Sequence, residues 1–573
     1  MGGVSSIKQG QHTNENGAYS GISRRFSRNG SSKCMGASFF DNKEQMAICP
    51  SLMELCTHII CEKIDQYDTF SMLPRDISQQ IFDQLVYSKR LNETYLEAFR
   101  GCALEDIELG EYPGVDDSWM DVISSQGSSL LSADISNSNV TDNGLFHIKN
   151  CDNIQDLNFN FCAQISDIGL DIISGLSNLT TLSLKRNNIT TNGMSVLSSL
   201  VNLLNLDLER CPLIHGGLVH LKGLSKLEVL NINCCNCITD DDMEPISELK
   251  NLKELQVSSS KVTDHGVTFL KGLYKLAMLN MERCPVTAAC LDALSDIVTL
   301  LYLNLSRSNL TDTGCHKFSR LKALRVLNLG FNDISDAVLV HLKGLNNLES
   351  LNLDSCRIRD NGLVNLAGLH HLKCLELSDT EVGSNGLFHL SGLMNLQILN
   401  LSFTVITDGG LPNLSGLSAL RSLNLDVRHI TDAGLSTLTS LTGLTHLDLF
   451  CARITDAGTN SLRNFTKLQS LEICGGGITD AGVRNIKDLR SLALLNLSQN
   501  KQITNASLKS ITGLTKLVSL NLSSSQVTGE GLQHLKPLKK LKSLSLESTN
   551  VTPNDIKQLQ ESDLPNLVTF RPE

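Results

Sequence analysis

Aromatic residues are scarce in this chain, at 4% of 573 residues with a single tryptophan. A large globular core draws heavily on aromatic bulk, so the composition suits many small, similar layers better. An excess of basic residues is also missing. Lys and Arg total 49 against 60 Asp and Glu, a formal net charge of −11, and that sign argues against a general nucleic-acid binder. No apolar run reaches the length of a membrane span, and the N-terminus lacks the apolar core of a signal peptide. The 18 cysteines follow no paired spacing, so a reducing compartment is expected, the cytoplasm or also the nucleus. The sequon asparagines Asn304, Asn400, Asn496 and Asn521 fall inside expected strands, where a glycan would obstruct the sheet.

What the chain has is repetition. "LRVLNLGFNDISDAVLVHLKGLNN" (324–347) aligns with "LESLNLDSCRIRDNGLVNLAGLHH" (348–371). The shared pattern is L-x-x-L-x-L-x-x-(N/C/S/T)-x-aliphatic-T-D-x-G-L-x-x-L-x-x-L, with a step of 24 and an occasional 25. L-x-L alternates and reads as a short strand with both leucines inward. T-D-x-G-L-x-x-L switches to a helical period. Thr431 and Thr455 can cap the helix, with Asp432 and Asp456 in its positive first turn. One such unit cannot bury its apolar face, but stacked units share a core. This pattern resembles the leucine-rich-repeat family over residues 104–573. The resemblance and the periodicity predict an α/β horseshoe of about nineteen repeats, with a parallel concave sheet and short convex helices. At the usual strand spacing the sheet would run about 90 Å along its arc.

Three residues after L-x-L comes a small polar slot, filled by Cys162, Asn187, Cys211, Cys235, Cys284, Asn332, Cys356, Thr380, Thr404 and Asn500. Each can bond the loop backbone of a neighbouring coil, where an unpaired amide would be costly. This accounts for Cys235 in "NCCNC" (233–237). A zinc site there would lack a fourth ligand beside Cys234, Cys235 and Cys237. The sequence offers no phosphate loop, metal helix or nucleophile relay, so neither a catalytic residue nor a cofactor is expected.

The slot departs from pattern at Arg428, Ala452 and Gly476. Near them lie Phe403, Val427, Phe450, Cys451 and Cys474, with Asp426, Asp448 and Glu472 as strand neighbours. Stacking predicts one outward apolar patch with an acidic border, a partner-binding face for a protein. Arg186, Arg210, Arg283 and Arg307 occupy the equivalent outward position in earlier repeats, with Glu209 and Glu282 beside them. They form the competing site, suited to an acidic or phosphorylated partner.

Residues 46–103 stand apart from the array. "SLMELCTHII" (51–60) reads as a helix start, with Leu52, Cys56 and Ile60 on one face and Ser51 in the first turn. It resembles the Elongin-C-binding BC-box at Ser51, Leu52, Cys56 and Ile60. "LPRDISQQI" (73–81) resembles the companion cullin box at Leu73, Pro74, Ile77 and Ile81. "LPRDISQQIFDQL" (73–85), with Phe82 and Leu85, also resembles the first helix of an F-box, which docks a Skp-type adaptor. The later Val-Cys-x-x-Trp part of an F-box is absent from 86–103. These resemblances imply adaptor docking to a cullin–RING ubiquitin ligase. The alternative is a helical cap over the open end of the repeat stack.

Residues 1–45 are rich in Ser, Gly and Asn and read as a disordered arm. "MGGVSS" fits N-myristoylation of Gly2, with Lys8, Arg24, Arg25, Arg28 and Lys33, or acylated Cys34, as a second membrane signal. "RRFS" (24–27) fits a basophilic kinase site. Together the resemblances imply a non-catalytic substrate-recognition subunit of a cullin–RING ligase. The rival expectation is a protein-interaction scaffold, tethered peripherally to a membrane, in signalling.

Overall fold

The computed structural model describes residues 51–570, and the arm with its Gly2 and Cys34 lies outside them. Each strand is three residues long and grows from L-x-L. Val326–Asn328, for example, puts Leu327 inside, while Val326 and Asn328 flank it on the concave side. All twenty strands form one parallel sheet, each repeat pairing with the next. The register carries one leucine onto another, Leu303 to Leu327 to Leu351 to Leu375. Leucine columns therefore run the length of the molecule, and the core is one continuous cluster. The nineteen repeats read in the sequence each supply a strand, and Val568–Phe570 adds a closing one.

The convex segments follow T-D-x-G. Thr431 caps its helix by accepting from the Ala433 amide (3.3 Å), as expected of an N-cap threonine. The aspartate does more than sit in the positive first turn. Asp408 accepts both the amide (2.8 Å) and the hydroxyl (2.6 Å) of Thr431 in the following repeat. Asp432 holds Thr455 and Asp456 holds Thr479 in the same way. Glycine completes the unit, because a Cβ at Gly434 would overlap the Asp408 carboxylate. T-D-x-G is thus a joint between repeats as well as a helix start.

The slot residues divide by reach. Asn332 Nδ2 donates to Leu305 O in the preceding coil (2.8 Å), and its Oδ1 accepts from the Leu310 amide (3.2 Å). Asn187 and Asn500 likewise reach Phe159 O and Ile473 O. Cys162, Cys211, Cys235, Cys284 and Cys356 reach back through their thiols at 3.1–3.4 Å. Thr380 and Thr404 instead bond their own coils, at Leu377 O and Leu401 O. That corrects the expectation that every slot residue bridges coils: a β-hydroxyl is too short to cross. On the concave side a second row forms, in which Asn304, Asn400, Asn496 and Asn521 each accept the amide two residues on. These sequon side chains are built into the sheet.

Among the described residues three α-helices precede the array: α1 (Leu52–Glu62), α2 (Arg75–Tyr87) and α3 (Glu93–Glu97). Ser51 is the N-cap of α1, one position before the first turn expected for it, and forms a reciprocal capping box with Glu54. Ile81, Phe82 and Leu85 of α2 are fully buried with Phe70 and Phe99. The Phe82 and Phe99 rings meet edge to face at 5.4 Å.

Candidate functional site

The end of the repeat stack exposes a strand edge, and α2 covers it. Gln79 Nε2 donates to Asp106 O (2.6 Å), and its Oε1 accepts from the amides of Glu105 (3.1 Å) and Asp106 (3.3 Å). Arg75 pairs with Glu105 at 2.6 Å. One glutamine thus supplies the donor and acceptor that a missing neighbouring strand would have given, the protection an open edge needs. The expected docking residues of α2 are corrected accordingly. Ile81, Phe82 and Leu85 are enclosed by the cap core, and Leu73 and Ile77 pack half-buried against it. Pro74 is the N-cap of α2 and makes no side-chain capping bond.

The first helix is different. Thr57 and Cys61 form its buried side. Leu52, 78% exposed, stands on the opposite side with Leu55, Cys56 and Ile59, all exposed. The face expected from the sequence was Leu52, Cys56 and Ile60. Ile60 turns half inward against the cap core, and Leu55 and Ile59 complete the outward stripe in its place. At 100° per residue, Leu52, Leu55, Cys56 and Ile59 share one face while Ile60 lies at its margin.

On the concave face, the residue before the slot takes a left-handed conformation in repeat after repeat, among them Phe161, Arg186, Arg210, Arg283, Arg307, Phe331 and Phe403. Their side chains therefore align in a row beside the sheet. The arginines there are engaged. Arg186 lies over Phe161 and Arg307 over Phe331 (4.6 and 3.7 Å to the ring centroids). Glu209 meets Lys185 and Arg210, and Glu282 meets Arg283 and Arg307.

The left-handed row is interrupted at Val427 and Cys451, two of the repeats whose slots depart from pattern. A guanidinium cannot enter a dry slot without a partner, and a β-branched residue resists the left-handed region. In the structure Arg428 is exposed and Val427 turns inward, 2% exposed, with its amide on Leu425 O. Cys474 is likewise 1% exposed. Both corrections shrink the expected apolar patch to Phe403, which is 65% exposed, and half-buried Phe450 and Cys451. The acidic border changes too. Asp426 is buried and accepts from the Cys451 amide (3.0 Å). Asp448 accepts from the Phe450 amide (2.9 Å) and lies in register beside Glu472. Burial, then the Glu472 charge, push the Asp448 carboxyl up to about 7. Phe450 also lines a shallow concave groove with Asn496, Ser498, Gln499 and Asn521.

Among the described residues no group of three or more His, Cys, Asp or Glu is placed to hold a metal ion, and no helix is long and apolar enough to cross a membrane. In "NCCNC", Cys235 fills the slot and Cys237 donates to Cys211 O (3.7 Å).

A model described as a leucine-rich repeat region matches residues 311–572, and a second leucine-rich-repeat model matches 175–198, 223–247 and 298–319. No curated protein matches the chain. Among solved structures, an internalin from Listeria monocytogenes is 22% identical, covering 65% of this chain and 88% of its own, with a TM-score of 0.40. A leucine-rich-repeat protein of Leptospira interrogans is 20% identical over 74% of this chain and 91% of its own, at 0.41. The Arabidopsis receptor kinase HAESA ectodomain is 16% identical over 81% of each chain, at 0.45. These likenesses bear on no ligand of this chain. The coil read in the sequence, traced in the structure and matched by the family models makes this chain a member of the leucine-rich-repeat family.

Proposed function

We propose that this protein is the non-catalytic substrate-recognition subunit of a cullin–RING ubiquitin ligase, docking an Elongin C or Skp-type adaptor through α1 and a protein substrate through the concave sheet. The observation that carries the reading is the division of labour at the N-terminal end. The second helix closes the stack with Gln79 and its buried stripe. The first leaves Leu52, Leu55, Cys56 and Ile59 facing outward. Capping therefore does not account for the outward stripe. A helix laid in an adaptor groove presents such a set of anchors, and a small soft cysteine between larger aliphatics suits a tight pocket. The Elongin C reading is favoured over the Skp reading because the F-box-like stripe of α2 is enclosed. The protein would work in the cytoplasm or nucleus, with Gly2 acylation as a route to membrane surfaces.

The test is affinity purification of the full chain against the same chain carrying Leu52→Asp and Cys56→Asp. The reading expects loss of Elongin C, Skp-type adaptor and cullin from the isolate, with an unchanged thermal melt. Recovery from the unaltered chain of stable partners among which none of these proteins is present, or their undiminished recovery from the altered chain, overturns the reading, and the first of these results favours the scaffold reading instead.

A further inference from the structure

The concave sheet changes character along its length. In the earlier repeats its arginines are paired with Glu209 and Glu282 or stacked on phenylalanine. Between the strands Ser350–Asn352 and Ser470–Glu472 carboxylates dominate: Asp354, Glu376, Asp379, Asp426, Asp448 and Glu472. Their hydrogen-bond donors are neutral. Asp354 accepts from the Ser378 amide, Asp379 from the Ser355 hydroxyl and Glu472 from the Asn496 side chain. Arg428 and His446 share this stretch and are both exposed. Burial, then the Glu376 charge, push the Asp354 carboxyl up to about 6. Glu376 lies on one side of Phe403 and Asp448 on the other, in strands linked by continuous register, Glu376 to Asn400 to Asn424 to Asp448. The surface therefore reads acid, aromatic, acid.

The chain carries its own counterpart. Arg24, Arg25, Phe26, Ser27 and Arg28 read base, aromatic, base, in a stretch where residues 1–34 hold Lys8 and Lys33 as well and a single acidic residue, Glu15. We propose that this segment docks on the acidic concave face of the same molecule, Phe26 against Phe403 and Phe450, with the arginines on the carboxylates to either side. The proposal rests on the reading of that face as a docking surface, and is independent of α1. The dimensions agree. Five extended residues span about 16 Å, and three strand spacings, from Glu376 to Asp448, span about 14 Å. The chain between Arg28 and Ser51 can extend to roughly 75 Å. The sheet from its first strand to that of Phe403 measures about 58 Å along its arc. A tethered segment acts at an effective concentration near the millimolar range, so with an intrinsic affinity of about 100 μM it would be docked roughly ten times as often as free and would weaken any free competitor about tenfold.

The test uses a fluorescent peptide of residues 18–33, titrated into the full chain and into the full chain with Arg24→Glu, Arg25→Glu and Arg28→Glu. The altered chain should bind it about tenfold more tightly, because its own arm no longer competes. Adding Glu376→Gln, Asp379→Asn and Glu472→Gln should weaken that binding at least tenfold. These positions bond side chains, so the loop amides keep their partners. Should the combined variant unfold, the peptide phosphorylated on Ser27 probes the same pairing and should bind at least tenfold more weakly than the plain one. Equal affinity for the two unneutralised chains overturns docking within the molecule and leaves the face to a basic partner in trans. Absence of binding to both, or binding indifferent to both the neutralised carboxylates and the Ser27 phosphate, overturns the site itself.

Discussion

Gly434 is the glycine of its T-D-x-G turn, whereas Gly409 fills the x position of the turn one repeat earlier, and alanine should affect the two oppositely. At Gly434 a Cβ meets the carboxylate that joins two repeats, whereas at Gly409 the nearest atom is Thr407 Oγ1 at 3.9 Å. We expect Gly434→Ala to destabilise by about 1–3 kcal/mol, the cost of overpacking. Gly409→Ala should be neutral or stabilise slightly through the unfolded chain. Paired thermal melts decide, and equal shifts would refute the joint. Asp448 gives a pH test. Its folded pKa, pushed up to about 7, lies above the ordinary carboxylate value. The folded state therefore holds a proton that the unfolded state has released between about pH 4 and 7, and stability falls as pH rises through that window. Asp448→Asn should raise stability at pH 8 by roughly 1–2 kcal/mol, after discounting for partial exposure, and change little at pH 4. Melts at the two pH values check the sign.

The slot ladder separates strong and weak elements. Asn332→Leu removes two links to the preceding coil, Leu305 O and the Leu310 amide, and should cost roughly 1–3 kcal/mol. Thr380→Val removes a bond within one coil and should cost about 1 kcal/mol or less by the same scale. Similar losses at both sites, measured by denaturant titration, would show that the ladder does not couple coils. The elements themselves were legible in the sequence because a strand period of two and a helical period alternate without ambiguity. The division between α1 and α2 was not. Both helices carry apolar stripes of similar spacing, and only packing against Phe70 and Phe99 decides which stripe is buried. Val427 escaped for a related reason. Extrapolating the repeat phase sends it outward, but the phase slips where Arg428 cannot enter its slot.

Across the whole molecule, cohesion is distributed among neighbours, and stability is a sum of local interfaces. The interrupted repeats at Val427 and Cys451 should be the weakest joints. Hydrogen exchange is expected to be at least ~10-fold faster at the amides of 427–428 and 451–452 than at 331–332, where Asn332 holds the loop. Uniform exchange would mean that the joints formed by Asp408, Asp432 and Asp456 compensate fully.

Because each strand meets the next with no offset, and each aspartate reaches one coil forward, a coil carries a socket at one end and a plug at the other. Copy number is then free, whereas phase is not. Excising one period of 24 residues would leave neighbouring coils in register, and the 25-residue steps show that one extra residue is absorbed, but excising half a period would leave a coil with no strand to meet its neighbour. Such an array can change length, and with it the span of its inner surface, in whole steps of one coil.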